Sequence, residues 1–148
     1  MTLKKIILLI ILLGIGIAAW YGYKEFNRKN KDLSKASPDY SLEAATLIRE
    51  YENDDSAAAR KYNGKIIEVN GFVKKIDMDE MGFYTIVLGD TSSLSAVRCS
   101  MDTTHNGDAA KIPTGSSAKV RGFCTGFNKD EMGLGSDVIL NRCAIIKN

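Results

Sequence analysis

Between Lys5 and Lys24 the chain carries no charge: Ile6 to Tyr23 form an 18-residue run that closes on Trp20, Tyr21 and Tyr23. An ionised side chain is costly in hydrocarbon, so an uninterrupted run of this length reads as a helix embedded in a membrane. At ~1.5 Å per residue it covers roughly 27 Å, close to the thickness of a bilayer core. The aromatic group suits the headgroup level. The run is apolar on every side, unlike the one-faced helix that packs on a soluble core. A cleaved signal peptide shares the positive start, here Lys4-Lys5, and the apolar middle, with Ile17-Ala18-Ala19 as a weak cleavage site. The missing A-x-A motif, the length of the run and the crowded aromatics favour a retained anchor. No Cys lies near the run, which excludes lipid attachment at its end.

Orientation is read from the flanks. Lys4 and Lys5 precede the run, and Lys24, Arg28, Lys29, Lys31 and Lys35 follow it. Taken literally, the positive-inside rule keeps the C-terminal part in the cytoplasm. A three-residue tail followed by two lysines is, however, how an exported domain begins. The expectation is a single-pass membrane protein with an extracytoplasmic domain, divided into an anchor or signal segment (1–23), a polar tether (24–40) and one domain (41–148).

The whole-chain charge of +2 conceals this division. Residues 1–35 hold seven Lys/Arg and two acids, so the remainder holds 13 basic and 16 acidic residues, a net of about −3. A domain with that balance lacks the positive field of a phosphate-backbone binder.

Ser41 has the chemistry of a helix N-cap, with Glu43 in the first turn, and Ala44, Leu47, Ile48 and Tyr51 recur at helical spacing. Asn53-Asp54-Asp55 interrupts and caps a second short helix through Ala57, Ala58, Ala59 and Tyr62, which Asn63-Gly64 ends. The period then becomes two. In Lys65–Ile76, Ile67, Val69, Gly71 and Val73 point one way and Glu68, Asn70, Phe72 and Lys74 the other. Tyr84–Leu88 and Leu94–Met101 follow, the latter burying Val97, Cys99 and Met101 and turning Arg98 outward. After a polar crossover (102–116), Ser117–Cys124 buries Ala118, Val120, Gly122 and Cys124, leaving Lys119, Arg121 and Phe123 outside. Val138–Ile146 shifts parity between Leu140 and Cys143, which predicts a bulge near Asn141-Arg142.

Five short strands with glycines inside the first and fourth predict a mainly β fold. It is a five-stranded OB-fold barrel with an N-terminal helical segment, preceded by one transmembrane helix. Lys61-Tyr62-Asn63-Gly64-Lys65, Ile67-Glu68-Val69-Asn70-Gly71, Val97-Arg98-Cys99, Val120-Arg121-Gly122-Phe123-Cys124-Thr125-Gly126 and Val138-Ile139-Leu140-Asn141-Arg142-Cys143 resemble, in this order, the tRNA-anti-like OB-fold family over roughly residues 41–147. The resemblance implies an OB barrel with an N-terminal helix, often behind a signal or anchor segment. It brings no catalytic residues, and the family's name reflects a likeness of fold.

Enzymatic constellations are nearly absent from the sequence. His105 is the one histidine, in the crossover with Asp102, Asn106 and Asp108, and reads as an exposed loop residue more readily than as a base or metal ligand. No cofactor, catalytic residue or metal site is expected. The candidate ligand face comprises Phe72, Tyr84, Arg98, Lys119, Arg121 and Phe123, outward aromatics and cations of the kind on which single strands stack and pair. A repeated tetrapeptide, Asp79-Glu80-Met81-Gly82 and Asp130-Glu131-Met132-Gly133, falls in the two loops that border an OB ligand face. Side by side, Asp79, Glu80, Asp130 and Glu131 would form a cation site or a partner-binding lip. The plainer reading is a pair of solvated turns.

Cys99, Cys124 and Cys143 are too few and too widely spaced for a zinc motif. Free buried thiols and one bridge are equal alternatives; in the usual OB strand order Cys143 reaches either Cys99 or Cys124. The function expected is a non-enzymatic binding module whose ligand is a protein or small molecule at the cell envelope. Single-stranded nucleic acid or oligosaccharide on the same barrel face is the alternative, nucleic acid being disfavoured by the acidic loops.

Overall fold

The computed structural model describes residues 3–27 and 31–147, which fall into two compact units, residues 1–31 and 32–148. The first is a single helix, α1 (Leu3–Phe26), whose described side chains are exposed all round. Its apolar stretch is long enough to cross a membrane. Lys24 in its last turn lies over the Trp20 ring, 5.3 Å from the centroid.

The second unit runs β1 (Tyr40–Glu43), α2 (Ala44–Asn53), α3 (Asp55–Tyr62), β2 (Ile66–Met78), β3 (Tyr84–Leu88), β4 (Ala96–Met101), α4 (Asn106–Ala109), β5 (Ser117–Asn128) and β6 (Asp137–Ile145). Strands β2 to β6 close a five-stranded barrel in the order β2-β3-β4-β6-β5, with β5 returning to β2. The β4–β6 pairing is parallel and the other barrel pairings antiparallel. This is the OB architecture that the strand pattern predicts. Closure brings the backbone close at two strand glycines. A Cβ at Gly71 would stand 2.9 Å from the Ala44 Cβ, and one at Gly122 2.4 Å from the Cys143 sulfur.

Alternation fills the interior: Ile67, Val69, Ile86, Leu88, Val97, Val120, Val138 and Leu140 are fully buried. Helix α2 closes one end of the barrel with the apolar face read from its spacing, Ala44, Leu47, Ile48 and Tyr51. The Tyr51 ring stacks on Phe127 at 5.0 Å, and its hydroxyl donates to the Asn63 Oδ1 at 2.7 Å. Asp54 caps α3, its carboxylate accepting from the Ala57 N–H at 2.9 Å.

One expectation needs correction. Ser41 is not a helix cap. Residues 40–43 alternate between half-buried and exposed as β1, which pairs in parallel with β2, and the Ser41 hydroxyl donates to Glu68 instead. Within the stretch read as a polar tether (24–40), the chain from Asp32 belongs to the folded unit, with Leu33 and Ala36 buried. Cys99, Cys124 and Cys143 are buried free thiols, with no bridge from Cys143 to Cys99 or Cys124, and the Cys143 thiol hydrogen-bonds that of Cys99. The β6 bulge falls where the parity shift places it, with Arg142 at φ +56°.

Candidate functional site

The long strand β2 serves two walls of the barrel. Its first half, Ile66 to Phe72, pairs with β5, and its second half, Val73 to Met78, pairs with β3. Between them the register slips: Val73 lies opposite Leu88 but Lys75 lies opposite Val87. The extra residue reverses the alternation, so Ile76 packs against the core and Lys75 and Asp77 face out.

On the β3–β4 wall this reversal builds a row of alternating charge. Lys75 Nζ sits 2.8 Å from Asp77 Oδ2, Arg98 Nη1 3.7 Å from the same oxygen, and Arg98 Nε 2.6 Å from Asp137 Oδ2. Beside it lies a cavity of about 280 Å³ lined by Lys74, Val87, Leu94, Arg98, Leu134 and Asp137. Leu94 and Leu134 are its lips, 69% and 73% exposed. The Lys74 ammonium donates to the carbonyls of Ser93 and Ser95, fixing the β3–β4 loop that carries Leu94.

The β2–β5 wall carries Glu68 opposite Arg121, Asn70 opposite Lys119 and Phe72 opposite Ser117. Arg121 Nε donates to Glu68 Oε2 at 3.2 Å, and both side chains are only 12% exposed. Its Nη1 donates to the carbonyls of Leu33 at 3.4 Å, Ser34 at 3.1 Å and Ala36. Hydrogen bonding from Arg121 holds the Glu68 carboxyl below the usual carboxylate range, with a smaller contribution from Ser41. Residues 32–36 thus form a strap over this wall. His105 secures its start, Nε2 lying 2.8 Å from Asp32 Oδ1 and Nδ1 3.6 Å from Asp108 Oδ2. Hydrogen bonds from Ser34 and His105 bring the Asp32 carboxyl down to about 2. His105 is therefore a docked residue and not an exposed loop side chain.

The six predicted face residues do not share one surface. Phe72, Lys119, Arg121 and Phe123 stand on the β2–β5 wall, Arg121 being covered by the strap. Arg98 stands on the β3–β4 wall. Tyr84 packs against the core, and its N–H donates to the Asn106 Oδ1 at 2.7 Å. Sequence reasoning missed Lys75, Asp77, Asp137, Leu94 and Leu134 as site residues. The one signal that could have found Lys75 and Asp77 is Ile76, a single apolar residue out of phase with Val69 and Val73.

The two Asp-Glu-Met-Gly loops do not meet. The first leads into Tyr84 at one end of β3. The second leads into Asp137, opposite Ala96, at the Leu88 end. They are instead copies of one turn. Asp79 Oδ1 accepts the N–H groups of Met81 and Phe83, each at 2.9 Å. Asp130 accepts those of Met132, at 3.1 Å, and Leu134. Gly82 and Gly133 follow at φ +83° and +78°, a left-handed backbone that suits glycine. Asp79, Glu80, Asp130 and Glu131 do not converge. Among the described residues no group of three or more His, Cys, Asp or Glu is placed to hold a metal ion.

Comparison with known proteins finds a family model, described as tRNA_anti-like, that matches residues 1–143. No curated protein matches the chain. Among solved structures, a lipoprotein from Klebsiella pneumoniae provisionally described as nucleic acid-binding superposes with a TM-score of 0.57. It is 14% identical, over 80% of this chain and 100% of that one. The asparaginyl-tRNA synthetase of Entamoeba histolytica gives a TM-score of 0.42 at 13% identity, over 76% of this chain and 24% of that one. A chain of the Stn1-ten1 complex of S. pombe gives 0.37 at 18% identity, over 56% and 59%. The first likeness establishes a shared fold; the other two carry no weight.

Proposed function

The chain belongs to the tRNA_anti-like family, and from that premise we propose that it is a non-enzymatic OB module, held at a membrane by α1, that binds a polypeptide or small ligand on its β3–β4 wall. The domain is exported, and the ligand is met at the cell envelope. The observation that carries the reading is the make-up of that wall. Its outward positions on β3 and β4 are Thr85, Val87, Ala96, Arg98 and Ser100, none of them aromatic. Its Lys75 and Arg98 are already matched by Asp77 and Asp137, and Lys74 is turned onto the carbonyls of Ser93 and Ser95. A single-strand binder needs stacking platforms and unopposed positive charge along one groove. Here Phe72 and Phe123 are on the other wall. Apolar lips around a charge-compensated floor fit a ligand that is itself partly apolar and near neutral.

A photo-crosslinking residue placed at Leu94 or Leu134 of the full chain in cells tests this. The expected adducts are protease-sensitive or low in mass. Nuclease-sensitive adducts, with oligonucleotide binding that falls steeply with salt, would establish the nucleic-acid alternative that the Klebsiella lipoprotein's description suggests.

A further inference from the structure

The strap shows what the β2–β5 wall can hold. Arg121 Nη1 reaches three carbonyls within four residues, those of Leu33, Ser34 and Ala36. This is recognition of backbone, and it needs a turn, since an extended strand would point successive carbonyls to opposite sides. Selectivity comes from the buried side chains of Leu33 and Ala36 and from His105, which takes the Asp32 carboxylate. No strand pairing ties the strap down. Its own backbone bonds are a local turn, Lys35 N–H to Asp32 O at 3.4 Å and Ala36 N–H to Leu33 O at 3.3 Å. Regular attachment begins only at Asp39, whose N–H donates to the Ile66 carbonyl at 2.7 Å. A segment held by two apolar side chains and a few polar contacts, at the edge of a folded unit, belongs to the least stable part of a structure. Its removal would break no barrel strand and would uncover Arg121, beside Lys119 and Phe123.

We propose that the β2–β5 wall is a docking groove for a polypeptide turn of the pattern acid, Leu, two residues, small residue. In the resting chain it is filled by residues 32–36; a segment of that pattern from another protein displaces them. The groove is distinct from the β3–β4 wall and does not depend on what binds there.

The test uses the full chain in detergent or nanodiscs and a fluorescent peptide spanning residues 31–38. In the wild type, trypsin cleaves slowly after Lys35 and the peptide binds weakly, because the groove is filled. In Leu33→Asp/Ala36→Asp the strap is released. Cleavage after Lys35 then rises at least about tenfold while the barrel stays resistant, and peptide affinity rises by at least about tenfold. Adding Arg121→Met abolishes that gain. If the double variant fails to fold, Leu33→Ser alone gives the same readouts. Cleavage after Lys35 as rapid in the wild type as in the released variant, or a peptide that ignores the vacated wall, overturns the proposal.

Discussion

Arg121 on β5 and Glu68 on β2 face each other across an antiparallel pair, and the same guanidinium that neutralises Glu68 also clasps residues 33–36. The two roles separate by mutation. Breaking a largely buried ion pair leaves one charge uncompensated and costs about 3 kcal/mol. Both Glu68→Gln and Arg121→Met are therefore expected to lower urea stability by about that amount. Only Arg121→Met also frees the strap, so only that variant becomes sensitive to trypsin after Lys35. Lys119→Met, on the same wall but outside the pair, is expected to change stability by less than about 0.5 kcal/mol. Equal strap protection in Glu68→Gln and Arg121→Met would show that the carbonyl contacts do not hold it.

Acid should weaken the strap in a defined window. The Asp32 carboxyl titrates near 2, below its ordinary 3.8, because Ser34 and His105 hydrogen-bond to its ionised form. A depressed folded-state value means that between about 2 and 4 the unfolded chain binds the extra proton. The stabilisation is complete above about 4 and is lost as pH falls through about 2. Thermal midpoints of wild type and Asp32→Asn should differ at pH 5 and converge by pH 2. Glu68, Glu50 and Asp108 are also shifted down, so both proteins lose stability in acid. The difference between the two melting curves isolates Asp32. A difference constant across the range would sink this assignment.

Gly122 and Cys143 occupy one space. A Cβ at Gly122 would meet the Cys143 sulfur at 2.4 Å and the Leu140 Cβ at 3.1 Å, all inside a closed barrel. Gly122→Ala is expected to cost about 2–3 kcal/mol by overpacking. Adding Cys143→Ala should recover much of the loss, since it removes the atom in the way. Burial also pushes the Cys143 thiol well above its ordinary value, and that of Cys124 up. Maleimide should label none of the three cysteines in the native chain and all of them after denaturation. A fixed penalty in the double variant would place the strain in the backbone.

Much of the barrel was legible because one physical signal, alternation, produces it. Val97, Cys99 and Met101 face the core as their spacing requires, as do Ala118, Val120 and Cys124. The parity break at Asn141-Arg142 marked a real bulge. The bulge between Val73 and Lys75 was missed because one apolar residue, Ile76, follows it among Lys74, Lys75 and Asp77, and one residue sets no period. The strap was missed for a related reason. Leu33 and Ala36, two apolar residues in a polar stretch, carry no period, and only the fold supplies the Arg121 that holds them. Arg121 itself points out of the barrel as its parity says, but outward proved not to mean exposed. Ser41 misled because a hydroxyl before a helix serves a cap or a short edge strand equally well, and Glu68 across the sheet decided between them.

The paired tetrapeptides lead to a last prediction, because their geometry assigns the aspartates and leaves the methionines outside. Asp79 and Asp130 each tie two N–H groups of their own loop, whereas Met81 and Met132 are 81% and 83% exposed. Asp79→Ala and Asp130→Ala should each cost about 1 kcal/mol, the range for a lost side-chain-to-backbone bond. Asp79→Asn and Asp130→Asn keep an acceptor and should cost less. Met81→Ser and Met132→Ser should leave urea stability unchanged within about 0.5 kcal/mol. Since the carboxylates are turned into separate loops at opposite ends of β3, calcium added to the full chain should give no heat of binding in calorimetry. A saturable heat lost in Asp79→Ala/Asp130→Ala would mean that the loops join in a way the register of β3 does not allow.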